Sequence, residues 1–580
     1  MSRILDHLIA LYGDAVGRAT FARLQSLITN YRSLIPPRPA RALTARDAIL
    51  ITYGDQVREP GAPPLLTLAD FCARHLAGLV SGIHILPFYP YTSDDGFSVT
   101  DYRAVNPALG NWDDVARVRG GEHEARPYFR LMFDAVVNHI SSQSAWFRGF
   151  LRDDPRYRDY FIVVPDGVDV SAVVRPRTSP LLTRLDTPSG PRQVWTTFSA
   201  DQIDLNYRNP AVLLEIIELL LSYIAHGAEW LRLDAVAFLW KEFGTPCLHL
   251  PQTHRVIQLM RAALDEVAPG VMLITETNVP HADNVAYFGD GTNEAHLVYN
   301  FALPPLTLHA IHTGNAMTLA RWARGLTLPS KQVTFFNFLA SHDGIGLNPA
   351  RGILSDAEID ALVKRTLRHG GLVSQKQNPD GTSSAYELNI NYFDALSNPN
   401  ARESLQTQID RFVAAHAIMF ALIGVPGIYF HSLFGSRSWP AGVAQTGQKR
   451  TINREKLYRA ALERDLSDTT SRRHRVFARL APLVRARGAH PAFDPLGGIQ
   501  VLDTNPSIFA ALRGDSAHDA VICLHNVSNQ PQTAALDALS GDLVDLITGQ
   551  EFHATGTAQL APYQSLWLAR KTRLGISSIS

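Results

Sequence analysis

Glu229-Trp230-Leu231-Arg232-Leu233-Asp234-Ala235-Val236 is the stretch on which the reading of the chain turns. Apolar side chains run up to an Arg-x-Asp step and then resume. Such a run predicts a buried strand that delivers one cation and one carboxylate at its end. Residues two apart on a strand share a face, so Arg232 is the near partner of Asp234. A buried carboxylate without partners is costly. A structural ion pair explains the step as well as a functional one does, because ion-pair networks also place charges in cores. The rest of the chain has to decide.

Seven more short apolar runs close on polar or turn residues in the same way. Ala48 to Tyr53 closes on Gly54-Asp55, Gly82 to Phe88 on Tyr89-Pro90, and Leu131 to Val137 on Asn138-His139. Val271 to Thr275 closes on Glu276, Leu297 to Phe301 on Leu303-Pro304-Pro305, Thr334 to Ala340 on Ser341-His342-Asp343, and Val425 to Tyr429 on Phe430-His431. Segments of helical periodicity separate most of them. The clearest begins with Asn209-Pro210, an N-cap and N1 pair, and stops at Gly227. Eight strands alternating with helices predict an α/β fold, a (β/α)8 barrel. Strands buried on both faces read as near-continuous apolar runs, as these do. Their polar ends fall at the C-terminal face, where such barrels keep active sites.

Around the barrel the spacing predicts four further parts. Residues 1–45 form a helical extension, with Ile4, Leu8, Leu11, Phe21, Leu24 and Leu27 at helical spacing before the breakers Pro36, Pro37 and Pro39. The barrel occupies 46–140 and 202–485. Two gaps are too long for simple loops: 141–201 after the third strand and 344–402 after the seventh read as inserted subdomains over the barrel mouth. Trp195 and Phe198 are expected in the core of the first insert. Residues 486–580 change to short β-like runs and predict an antiparallel C-terminal domain.

The bulk numbers exclude several classes. A chain of 580 residues exceeds one simple core. Its formal net charge of +0 argues against nucleic acid or an anionic membrane as partner. Cys72, Cys247 and Cys523 lie far apart with no CxxC, so free buried thiols and a reducing, cytoplasmic setting are expected. Met1 to Asp14 carries charge too early for a secretory leader, and Glu215 and Glu218 interrupt the apolar run Leu213 to Leu221. The oligomeric state is left open, a homodimer included.

Four strand ends converge in such a barrel: Asp134 with Asn138 and His139, Arg232 with Asp234, Glu276, and His342 with Asp343. Carboxylates aimed at one point repel, so their pKa values spread apart. One then stays ionised as a nucleophile while another keeps a proton as an acid, the division of labour that glycosidic cleavage needs. Arg232 is expected to hold Asp234 ionised, and the apolar approach Val271-Met272-Leu273-Ile274 to raise Glu276. A divalent-ion cage is the competing reading of the same residues.

Asp134-Ala135-Val136-Val137-Asn138-His139, Leu231-Arg232-Leu233-Asp234-Ala235, Ile274-Thr275-Glu276-Thr277 and Ala340-Ser341-His342-Asp343 resemble, in order, the four signature regions of the α-amylase superfamily of glycoside hydrolases. The resemblance implies that Asp234 is the nucleophile, Glu276 the general acid and then base, and Asp343 a holder of glucosyl hydroxyls. It implies further that Arg232 orients the nucleophile, that His139 and His342 bind sugar hydroxyls, and that the mechanism is retaining, with carboxyls about 5–5.5 Å apart. Asn138 would mark a calcium site as in some amylases, but no carboxylate cluster completes it, and no metal or other cofactor is expected.

Ser93-Asp94-Asp95-Gly96-Phe97, Arg175-Pro176-Arg177, Phe301-Ala302-Leu303-Pro304-Pro305 and His342-Asp343-Gly344-Ile345-Gly346 are similar to the sucrose phosphorylase branch. That likeness implies Asp94 and Arg450 around the glucosyl 4- and 6-hydroxyls, Phe97 in the same pocket, Arg177 as a phosphate or carboxylate ligand, and Tyr386 facing phosphate, which serves as co-substrate. Tyr386-Glu387-Leu388-Asn389-Ile390, Glu276-Thr277-Asn278-Val279-Pro280-His281 and Gly435-Ser436-Arg437 resemble the glucosylglycerate-cleaving group of that branch. Ser384 stands about where sucrose phosphorylases put an Asp, and Ser438-Trp439 where Asn-Asp follows Arg437 in the group. The implied substrates are a small α-glucoside and phosphate, with sucrose, a phosphorylated sucrose or glucosylglycerol as alternatives to glucosylglycerate. Hydrolysis by the same carboxylates, or an inactive sugar-binding module, are the other readings.

Overall fold

The computed structural model of the chain describes residues 3–37, 41–121, 128–378, 380–514 and 519–571, with backbone alone for 536–540. Eight parallel strands close into a barrel: β1 (Ile49–Thr52), β2 (Gly82–Ile85), β3 (Arg130–Ala135), β4 (Ala228–Leu233), β5 (Met272–Thr275), β6 (Leu297–Tyr299), β7 (Thr334–Asn337) and β8 (Val425–Tyr429). Each strand pairs with its neighbours in chain order, and β8 returns to β1 through Ile49–Gly427 and Leu50–Ile428. These are the eight strands that the apolar runs predict. In several strands the pairing is shorter than the run, as in Gly82–Ile85 within Gly82 to Phe88.

The helices between strands bury one face on the barrel wall. Pro210–Ala225 starts on Asn209, whose Oδ1 accepts from the Ala211 N–H at 2.9 Å. It buries Val212, Leu213, Ile216, Ile217, Leu220 and Ile224. Two N-terminal helices, Arg3–Tyr12 and Asp14–Leu34, dock on the outside through Ile4, Leu8, Leu24 and Ile28. The Tyr12 hydroxyl donates to the Tyr207 carbonyl at 2.8 Å. Of the predicted proline linker, 38–40 lies outside the described residues.

Both inserts are present. The first holds the two-stranded pair His139–Ser141 and Gln202–Asp204 and the hairpin Leu182–Thr187 with Gly190–Trp195. The second is a three-stranded sheet of Ile345–Gly346, Ser383–Asn389 and Leu372–Gln377, backed by the helix Asp356–Arg368. That helix opens on a capping box: Ser355 Oγ accepts from the Glu358 N–H, and the Glu358 carboxylate accepts from the Ser355 N–H. A six-stranded antiparallel sheet ends the chain, ordered Ile499–Val501, Ile508–Arg513, Val521–Asn526, Ser565–Arg570, Gln532–Asp545 and Glu551–Leu560. Arg513 fixes it to the barrel by donating to the Ala421 carbonyl at 2.9 Å.

Among the described residues, no helix is long and apolar enough to cross a membrane, and no group of three or more His, Cys, Asp or Glu could hold a metal ion. At Asn138 a cation of the chain's own fills the polar cluster. Lys241 Nζ lies 2.8 Å from Asn138 Oδ1 and 2.6 Å from Asp204 Oδ2, both fully buried. Asp204 also accepts from the Thr197 N–H and hydroxyl at 2.8 and 2.7 Å. The cluster joins β3, the segment after β4 and the root of the first insert.

Candidate active site

Asp234 follows the last residue of β4, and its backbone N–H donates to the Ala135 carbonyl of β3 at 3.0 Å. Arg232, one step back on the same face, donates from Nη1 to Asp234 Oδ1 at 2.9 Å and also to Asp134 Oδ1. Asp134 is closed from the other side by His84 Nε2 at 2.6 Å. A buried column of His84, Asp134 and Arg232 therefore stands behind Asp234. Arg232 is 1 % exposed and does not line the cavity, so it orients a carboxylate rather than touching a ligand.

Ala235 takes a left-handed conformation, φ +50°, uncommon for a residue with a Cβ. The turn aims its N–H at Glu276 Oε2, 3.0 Å away. Glu276 is placed by its own N–H, which donates to the Leu233 carbonyl. One strained residue thus ties the ends of β4 and β5, and with them the two carboxyls. Asp343 enters from the loop after β7, where Asn453 Nδ2 donates to the Ser341 carbonyl at 2.5 Å and Arg454 Nε to the His342 carbonyl at 2.8 Å.

Asp234, Glu276 and Asp343 line one cavity of about 190 Å³ with Asp94, Phe97, His139, His342, Arg450, Arg177 and Tyr386. The volume suits a small ligand. Of the strand-end and pocket residues singled out from the sequence, Arg232, Asp134 and Asn138 do not reach the cavity. Asp94 and Arg450 both line it, and each has its own charged partner. Arg450 lies 2.7 Å from Asp343 Oδ1 and 2.5 Å from Glu387 Oε1, while the cation beside Asp94 is Arg454, at 3.5 Å. Arg454 also reaches Asp95 at 2.7 Å, and the left-handed backbone at Asp94 and Asp95 turns both carboxylates toward it. The two arginines sit in one short 3-10 turn and its cap, and sequence spacing does not separate their aims.

His139 Nε2 donates to the Phe97 carbonyl at 3.0 Å and Nδ1 accepts from Asn138 at 3.4 Å, so both ring nitrogens have protein partners. His342 stacks on Phe97 at 4.7 Å and leaves Nδ1 buried without a partner. Phe198 corrects an expectation. Trp195 does pack in the insert's own core, whereas Phe198 lines the cavity, 5.3 Å from His139 and 5.7 Å from the Arg177 guanidinium.

Electrostatics separates the carboxyls. Burial would raise Asp343, but Arg450, then His342 and Arg454, outweigh it and hold the group well below the ordinary range. Burial raises Glu276 against the pull of Arg232, and the Asp343 charge adds to the rise. Asp234 is raised as well: burial outweighs Arg232, and Glu276, Asp134 and Asp343 reinforce it. The expectation that Arg232 holds Asp234 ionised is corrected: its pull is present but burial outweighs it. The Glu276 charge raises Asp234, so the two titrate as a pair that holds one proton. The direct ion pair lies on Asp234, while Glu276 receives one backbone N–H, so the pair's proton belongs on Glu276. Burial lowers both His139 and His342, which are neutral at pH 7.

The sequence reading missed Glu387, Arg454, Asn278, Asn348, Arg351 and Lys376. Glu387 follows Tyr386 directly and is 1 % exposed, a buried charge that only its pairing with Arg450 explains. The others sit in loops and on the second insert, where no apolar period marks a direction.

A family model for the alpha-amylase catalytic domain matches residues 76–344. A glucosylglycerate phosphorylase of Allomeiothermus silvanus is 50 % identical over 97 % of this chain and 98 % of its own. A sucrose phosphorylase of Agrobacterium vitis is 31 % identical over 80 % of this chain and 91 % of its own. A crystal structure of sucrose 6F-phosphate phosphorylase from Thermoanaerobacter thermosaccharolyticum superimposes with a TM-score of 0.72 at 24 % identity, covering 84 % of this chain and 95 % of that one.

Proposed function

This chain belongs to the alpha-amylase superfamily, and from that premise we propose that it is a retaining phosphorylase that converts 2-O-α-glucosylglycerate and phosphate into α-glucose 1-phosphate and glycerate. The observation that carries the reading is the cavity itself: three strand-end carboxylates share it with Arg177, a cation with no carboxylate within ion-pairing reach among the described residues. Carboxylates alone serve water; an added cation suits an anionic nucleophile.

In the first step Glu276 gives its proton to the glycosidic oxygen while Asp234 attacks the anomeric carbon. The carbon–oxygen bond breaks, glycerate leaves as the alcohol, and a glucosyl ester of Asp234 remains. In the second, a phosphate oxygen attacks the same carbon, Glu276 takes the phosphate proton, and Asp234 leaves as carboxylate. Asp343, held ionised, accepts the glucosyl 2- and 3-hydroxyls. Asp94, anchored by Arg454, closes the far end, and Phe97 and His342 form a flat wall for the ring. The guanidinium of Arg177 lies 5.3 Å from the Tyr386 ring, and the two receive phosphate. Phosphate is the co-substrate, and no other cofactor enters the scheme. Free buried Cys72, Cys247 and Cys523 suit a reducing, cytoplasmic setting.

Incubating the enzyme with α-glucose 1-phosphate and glycerate, glycerol or fructose, and measuring phosphate release, tests the proposal. Release with glycerate well above the others is expected. Free glucose as the main product of a glucoside, unaffected by phosphate, would assign hydrolysis instead. Arg177→Ala should raise the KM for phosphate about tenfold or more, and that for the glucoside less. Equal effects on both would remove Arg177 from the phosphate site.

A further inference from the structure

The cavity mouth carries more positive charge than one anion requires. Beyond Arg177, Arg351 and Lys376 of the second insert also line it. Arg351 is tethered by Nη2 donating to the Ala385 carbonyl at 3.2 Å, and its Nε is buried without a partner. Its nearest carboxylate, Asp356, stands 3.7 Å off with a side chain 96 % exposed, a pairing that water screens. Lys376 has no carboxylate within ion-pairing reach among the described residues. Directly across the hairpin from it is Ser384, which is neutral. Burial and the Arg351 charge both lower the Lys376 pKa, the signature of two cations held together without a counter-ion.

Arg351 and Arg177 attach to different residues of the strand Ser383–Asn389. Arg351 hangs on the Ala385 carbonyl, whereas Arg177 lies over the ring face of the next residue, Tyr386. Asn278, two residues beyond Glu276, lines the same cavity with a buried Oδ1 that has no hydrogen-bond partner among the described residues, and Asn348 Oδ1 is likewise unmatched among them. Orphan acceptors of this kind fit the hydroxyls of a small ligand.

Resting on the phosphorylase reading, we propose that Arg351 and Lys376 form a seat for the carboxylate of the acceptor, separate from the Arg177 position that meets phosphate. The seat selects short hydroxy-acids over neutral polyols, with Asn278 and Asn348 receiving their hydroxyls. Departing glycerate and incoming phosphate then use different cations, so one anion need not vacate the ligands of the other.

The test uses the full chain with α-glucose 1-phosphate as donor and compares kcat/KM for glycerate and glycerol. Arg351→Gln and Lys376→Met should each lower the glycerate-to-glycerol ratio about 10- to 100-fold, as loss of a charge-assisted hydrogen bond does. Ser384→Asp should lower it too, by placing a carboxylate opposite Lys376 without removing a cation. Lys376→Arg should restore most of the preference. A ratio within threefold of the parent in Arg351→Gln, Lys376→Met and Ser384→Asp alike overturns the proposal. So does a parallel rise in the KM for α-glucose 1-phosphate, which would make these cations part of the phosphate site. A parent enzyme that transfers glucose to neither acceptor defeats the phosphorylase reading itself, and the seat with it.

Discussion

Asp234→Asn removes a charge and keeps a shape. Its loss should lower kcat by about 10⁴- to 10⁶-fold, as loss of a nucleophile does, with the circular dichroism spectrum unchanged. Turnover that survives would move the nucleophile elsewhere. Glu276 allows a stability test with a definite sign. A carboxyl whose pKa folding raises stabilises in full below its unfolded value of about 4.3 and loses that contribution as pH rises through the folded value. Above that window ionised Glu276 is a buried charge beside Asp234 and Asp343. Glu276→Gln should therefore raise Tm by about 1–3 °C at pH 8, with the gain vanishing toward pH 4. An unchanged Tm at pH 8 would refute a raised Glu276. Asp343 carries the opposite sign. Arg450 holds its pKa down, so its contribution is present above about pH 4 and lost as pH falls through the depressed value. Asp343→Asn should cost stability at pH 7, measured by the same melts.

At the scale of elements, the first insert is held to the barrel by charge as well as by apolar packing. Lys241 meets Asp204 and Asn138, both of them fully buried. Removing one partner of a buried pair strands the other, at a cost of about 3–5 kcal/mol. Lys241→Met should show that loss in chemical denaturation, and Lys241→Met with Asp204→Asn should recover part of it. Additive losses would mean that the two groups do not interact. The barrel strands were legible because burial on both faces writes an unbroken apolar run, as in Leu131 to Val137. The second insert was legible only as a gap. Its strands Leu372–Gln377 and Ser383–Asn389 are polar over much of their length, so no period of two marks them.

Over the whole molecule, opposite charges balance to +0, yet Arg177, Arg351 and Lys376 gather at one mouth. A local cationic field on a neutral body attracts small anions and is screened by salt. Raising ionic strength from about 0.02 to 0.2 M should raise the KM for phosphate about two- to fivefold and leave that for glycerol nearly unchanged. Equal responses would show that the mouth does not act as a field.

By itself the sequence determined the barrel and the residues at its strand ends, because strand burial and a period of two are local facts that a linear pattern records. Asp234, Glu276 and Asp343 were legible as a group for that reason. The tertiary structure alone decided which arginine faces which carboxylate, that Arg232 stands behind the cavity, that Phe198 turns into it, and that Lys376 faces a serine. Apart from the Lys376 hairpin, those are contacts between segments tens to hundreds of residues apart, and closing the chain on itself creates them.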